Sequence, residues 1–154
     1  MERDACTFIG HSQLWGMTAK LESKLLELIE SIIVADDVRV FYCGGMGEFD
    51  LLCASVVRKL KRKYDVQLVL VIPYMTQDVN MNGDYYYQQY DDIIRPEELM
   101  GVHYKSAITK RNRWMVDHSK YALCFVRDNY GGAYKTLTYA KKKDISIINL
   151  AENI

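Results

Sequence analysis

The segment 38–60 constrains the fold more than any other part of this chain. An apolar run over 38–43 enters three glycines within four positions, Gly44, Gly45 and Gly47. A stretch follows in which Leu51, Leu52, Val56 and Leu60 recur with helical spacing. That order predicts a strand, a tight turn and a helix. Glycine admits backbone conformations closed to other residues and leaves room for a ligand to approach the first N–H groups of a helix, which attract anions. The same glycines suit a connection whose only task is to let helix and sheet pack closely, and the two readings stand level. The turn has neither the complete dinucleotide fingerprint nor the Lys-Ser/Thr that ends a P-loop.

The rest of the chain repeats the alternation. A short strand over 5–9 ends at Gly10, His11 and Ser12. Thr18 is then expected to cap a helix whose Leu21, Leu25, Leu28, Ile29 and Ile32 form one buried face, ending at Asp36 and Asp37. The run Val-Gln-Leu-Val-Leu-Val-Ile at 66–72 is apolar on both faces, as a parallel sheet covered by helices requires. Pro73 stops that strand, because proline cannot donate to a ladder. Twenty less regular residues follow, with a helix expected over 84–90, where Tyr86 and Tyr90 would share a face, and a short strand at 93–94. A loop at 96–101, a helix over 107–119 and a strand over 121–126 lead to a second glycine turn, Gly131 and Gly132. A helix over 134–143 and a strand over 145–150 complete a three-layer α/β pattern with a mostly parallel sheet. Right-handed crossovers would bring Gly10, Gly44, Pro73 and Gly131 to one rim, where ligands of open α/β sheets bind.

A chain of 154 residues fits a single domain, 1–154, able to bury roughly two-thirds of its unfolded surface. Twenty basic residues are balanced by twenty acidic ones, so no broad positive field exists and nucleic acid is not the expected partner. The basic runs 58–63 and 141–143 read as solvated helix ends. Cys6, Cys43, Cys53 and Cys124 lack paired spacing and read as reduced, buried small hydrophobes. No apolar run is long enough to cross a membrane and no signal peptide precedes the first strand, so a cytoplasmic location is expected. His11, His103 and His118 are dispersed, which predicts no metal site, and no cofactor is called for.

Several rim residues have both a bland and a functional reading. Glu48 and Asp50 fall in the first turn of the helix after Gly47, where a carboxylate satisfies a free N–H and favours the dipole. Asp50 is equally suited to accept hydrogen bonds from ribose hydroxyls. Arg111 offers a fork of donors for phosphate oxygens and Asn112 a polar amide beside it, although a solvent-facing arginine fits the pattern too. Arg113 and Asp117 are spaced as a surface ion pair. Twelve tyrosines, among them Tyr74, Tyr85, Tyr86, Tyr87 and Tyr90, suit packing on the domain itself, stacking on a base or self-association as a homodimer.

Gly10-His11, the run from Gly44 to Asp50, Pro73-Tyr74 with Gln77, Arg111-Asn112 with Met115, Val116, Asp117 and Ser119, and Gly131-Gly132 with Thr136 together resemble the small bacterial YoqJ/YpsA-like proteins of the SLOG superfamily. That superfamily includes the LOG-type phosphoribohydrolases and the DprA core. The resemblance runs over about 6–150 and implies a Rossmann-like domain that binds a nucleotide or nucleotide-derived small molecule between the Gly44 and Gly131 turns. Two departures stand out. Ser12 occupies the place where the family usually has arginine, and Ala133 follows the second glycine pair where threonine is usual. LOG-type enzymes carry a glutamate in their Gly-Gly-x-Gly-Thr-x-x-Glu run, which helps to cleave the bond between base and ribose phosphate. The corresponding stretch, 131–139, has no acidic residue. Binding without turnover is therefore the expectation, and N-glycosidic hydrolysis or base exchange the alternative, with Asp50 or Glu48 as general acid or base and Asp128 as a further nearby carboxylate; a DNA-associated or purely protein-interaction role ranks below both.

Overall fold

The computed structural model describes residues 4–153, so the ends of the expected 1–154 span lie outside the described residues. Six strands, β1 (Ala5–Gly10), β2 (Val40–Cys43), β3 (Gln67–Val71), β4 (Asp92–Ile94), β5 (Tyr121–Phe125) and β6 (Ser146–Asn149), form one sheet in the order β4-β3-β2-β1-β5-β6. Every pairing is parallel. Among the described residues the α-helices are α1 (Thr18–Asp36), α2 (Glu48–Leu60), α3 (Gln77–Met81), α4 (Gly83–Gln89), α5 (Tyr104–Asp117) and α6 (Gly131–Lys141).

Strand residues alternate between two apolar layers, which is why the strands read as continuous hydrophobic runs. Cys6, Phe8, Phe41, Cys43, Leu68, Leu70, Leu123 and Phe125 pack with α1 and α2 in the larger core. Ile9, Ala122 and Cys124 meet Val116 of α5 and Leu137 and Ala140 of α6, while Val69 and Val71 meet Met115. The chain steps outward from β1 to β4 and then returns to β5 beside β1. Right-handed crossovers therefore place α1 and α2 on one face and α5 and α6 on the other, and the direction reverses between β1 and β5. All four cysteines are buried and unpaired. Among the described residues no helix is long and apolar enough to cross a membrane.

Local expectations need four corrections. Thr18 is the first residue of α1 rather than its cap; Met17 holds the cap position without a side-chain bond. The irregular stretch contains α3, capped by Thr76, whose hydroxyl oxygen accepts from the Val79 amide at 3.1 Å. Tyr90 is not on the helix with Tyr86: it ends α4 in an extended conformation and is buried, with the Arg58 guanidinium 5.1 Å from its ring centre. Arg113 lies over the Tyr139 ring at 4.9 Å, and Asp117 accepts from the Tyr139 hydroxyl, so each has a partner on α6 that sequence spacing does not reveal.

Candidate functional site

The carboxyl ends of β1, β2 and β5 open into a crevice of about 410 Å³ at the point where strand order reverses. Gly10, His11, Gly44, Gly47, Asp50, Arg111, Asn112, Gly131, Gly132 and Thr136 line it, as do Ser12, Met46, Ile108, Met115, Asp128, Tyr130 and Ala133. Gly45, Glu48, Pro73, Tyr74 and Gln77 are outside its lining. Sequence reasoning passed over Met46, Ile108 and Tyr130 as site residues. These apolar and aromatic side chains are exposed at 43%, 36% and 70%; a large hydrophobic beside a glycine turn is the signal that marks Met46 and Tyr130, while Ile108, on α5, carries no such signal.

The first glycine turn is bound to its own scaffold. A Cβ on Gly10 would stand 2.2 Å from the Phe49 ring, and one on Gly47, whose φ is +89°, would stand 2.9 Å from the Ser12 Cα. Both positions exclude side chains so that β1 and α2 can approach each other. The amides that open α2 are occupied as well: Glu48 N donates to the Ser12 carbonyl at 2.9 Å and Phe49 N to that of His11 at 3.5 Å.

The acidic residues of that turn serve the same scaffold. Asp50 Oδ1 accepts from Gly44 N at 3.0 Å and Oδ2 from Gly45 N at 2.7 Å. Burial raises the pKa of this carboxyl above its ordinary value, opposed by those two amides and by Arg111. Glu48 Oε1 accepts from Leu14 N at 2.7 Å. The carboxylates read from sequence as ribose acceptors or proton carriers thus fold back on the loop and the turn.

Arg111 closes the turn from below. It is 3% exposed and lies on α5, with Nη1 donating to the carbonyls of Gly44 at 3.0 Å and Val71 at 2.9 Å, and Nε to Asn112 Oδ1 at 2.9 Å. Nη2 has the Met46 sulfur at 3.7 Å. Burial pushes the guanidinium pKa down, against the pull of Asp50. His11 is fixed by the Arg127 amide, which donates to its Nε2 at 2.8 Å and so leaves the ring proton on Nδ1.

The second glycine turn is different. Tyr130 precedes α6 without a side-chain cap bond, and the amides of Gly131, Gly132 and Ala133 have no acceptor among the described residues. A Cβ at Gly132 would meet nothing within 4 Å, so neither packing nor a positive φ requires glycine there. Thr136 donates to the Gly132 carbonyl at 3.0 Å, and Gly131, Gly132 and Ala133 all line the crevice.

Comparison with known proteins agrees with this architecture. The YspA SLOG family model matches residues 11–150. The chain belongs to this SLOG family. The SPbeta prophage-derived protein YoqJ of Bacillus subtilis (strain 168), itself uncharacterized, is 30% identical over 139 residues, covering 80% of this chain and 81% of the relative. Among solved structures, DNA processing protein A from Helicobacter pylori, described by its single-stranded DNA binding mode, superposes with a TM-score of 0.61 at 15% identity. The match covers 93% of this SLOG chain and 63% of that protein. DprA from Streptococcus pneumoniae superposes with a TM-score of 0.64 at 13% identity, over 96% of this chain and 49% of that one. This chain therefore spans less than two-thirds of either DprA chain.

The expectation that nucleic acid is not a partner is corrected here. It rested on balanced net charge, a property of the whole chain, whereas the fold is shared with DNA-processing proteins, one of them described by its single-stranded DNA binding mode. Net charge bears on nonspecific attraction and not on what a local crevice recognises.

Proposed function

We propose that the crevice binds a nucleotide or nucleotide-derived ligand with a phosphate seated at the N-terminus of α6. One observation carries this reading: Gly131, Gly132 and Ala133, whose amides have no acceptor among the described residues, line a crevice at the topological switch point, at a turn whose second glycine has no packing role. Such amides, reinforced by the helix dipole, suit a phosphate. Tyr130, Met46 and Ile108 supply the apolar and aromatic surface that a base requires. Arg111 acts mainly through the Gly44 turn, and Asp50 holds that turn's amides, so the first glycine turn is wall and support.

A nucleotide unit within single-stranded nucleic acid is a second form of the same ligand, favoured by the fold shared with DNA processing protein A. Calorimetric titration of nucleoside monophosphates, nucleosides and a short single-stranded oligonucleotide tests both. Gly132→Val is expected to remain folded by circular dichroism and to lose binding of the phosphorylated ligands. Unchanged affinity in the folded variant would move the phosphate site away from α6. Chromatography of the same mixtures for free base tests N-glycosidic cleavage, the alternative activity.

A further inference from the structure

Of the two acidic residues lining the crevice, Asp50 spends both carboxylate oxygens on the Gly44 and Gly45 amides. Asp128 does not. It is half-buried on the loop between β5 and α6, three residues before Gly131, and its carboxylate has no hydrogen bond or ion pair among the described residues. The cations near it are engaged elsewhere. Arg127 lies over the Trp15 ring at 4.8 Å and meets the Met17 sulfur, while Arg111 is bound to Gly44 and Val71. A half-buried carboxylate without a protein partner has both oxygens available to donors in the crevice, where a ligand can replace the water that otherwise solvates them.

We propose that Asp128 reads the sugar of the ligand, accepting hydrogen bonds from ribose hydroxyls, so that the crevice selects ribonucleotides over deoxyribonucleotides. The inference rests on the phosphate position at α6 proposed above and on a ligand that carries a 2′-hydroxyl, and so sets the DNA form of that ligand aside. An ionised carboxylate only accepts, so its partner must donate; a second phosphate offers no donor and is repelled. In a 5′-nucleotide the group adjoining the phosphate is the sugar, and Asp128 lies three residues before Gly131 and lines the same crevice. The base then lies one unit further, where Tyr130 is exposed.

The experiment titrates the folded parent and Asp128→Asn with the four common ribonucleoside 5′-monophosphates, their 2′-deoxy counterparts and inorganic phosphate. The parent should prefer a ribonucleotide over its deoxy form by roughly tenfold to a hundredfold, the range for a hydrogen bond to a charged group. Asp128→Asn should bring that ratio to within about threefold, and should bind the deoxynucleotide and phosphate as well as the parent or better, because a negative charge beside the phosphate has been removed. A residue that only shaped the loop would lower all affinities together. Equal affinity of the parent for both sugars, or a ratio unchanged in the variant, overturns the assignment of Asp128 while leaving the crevice proposal standing. Absence of binding by the parent to every nucleotide overturns the crevice proposal itself, and this inference with it.

Discussion

Arg111 Nη1 donates to the Gly44 carbonyl at 3.0 Å, joining residues 67 positions apart, and the same nitrogen reaches the Val71 carbonyl. One buried guanidinium thus ties the turn after β2 to the end of β3. Its removal leaves buried carbonyls without donors and a gap beneath the crevice. Arg111→Ala should therefore cost roughly 2–4 kcal/mol of stability. Arg111→Lys should recover only part of this, since an ammonium is a point charge and not a planar fork. Urea denaturation of the three proteins measures the effect, and an unchanged midpoint for the alanine variant would rule out the tie.

Two glycines of the rim, Gly10 at the end of β1 and Gly132 in the second glycine turn, should respond oppositely to a single methyl group. At Gly10 the added Cβ falls inside the Phe49 ring, so Gly10→Ala should destabilise by about 1–3 kcal/mol through overpacking. At Gly132 the Cβ meets open space within a helix, so Gly132→Ala should be neutral or stabilising by up to about 1 kcal/mol. Thermal melts of both variants decide the matter; a destabilised Gly132→Ala would mean that the second turn, too, has a scaffold role.

Asp50 predicts a pH dependence of defined sign. Burial sets its folded pKa above the ordinary 3.8. A carboxyl with a raised folded pKa contributes stability that is fully present below the unfolded value and is lost as pH rises through the folded one. Asp50→Asn cannot accept from both amides, so the variant should be less stable throughout, but its deficit should narrow as pH rises above 3.8. Denaturant midpoints for parent and variant over an acid-to-neutral series test this, and a deficit that widens with pH would contradict it.

The cysteines should be silent in the native protein. Burial pushes the thiols of Cys6, Cys43 and Cys53 well above the ordinary 9.0, and that of Cys124 to about 12. Because the thiolate is the reactive form, a colorimetric disulfide reagent should titrate none of the four rapidly in buffer and all of them in denaturant. Rapid labelling of any one under native conditions would reveal local opening of the sheet.

The layer pattern was legible because it depends on local order. Strands apolar on both faces, alternating with amphipathic helices, permit few arrangements other than a covered parallel sheet, and that sheet brings Gly10, Gly44 and Gly131 to one rim. Where local signals were weak the reading lost detail. α3 is only five residues long, too short for helical periodicity to show, and Thr76 was its one marker.

The sequence by itself determined the alternation of strands and helices, the burial of the cysteines and the edge of the sheet where a crevice forms, all consequences of hydrophobic spacing and crossover handedness. Only the tertiary structure distinguished one glycine turn from the other. Both look alike along the chain, yet the acceptors for the Glu48 and Phe49 amides are the Ser12 and His11 carbonyls, and the support beneath Gly44 is Arg111, brought there by packing of α2 and α5 against the sheet. Likewise, Asp50 and Asp128 are equivalent as sequence symbols. Their difference lies in what surrounds each carboxylate: two backbone amides hold Asp50, while Asp128 stands in the crevice with no such partner.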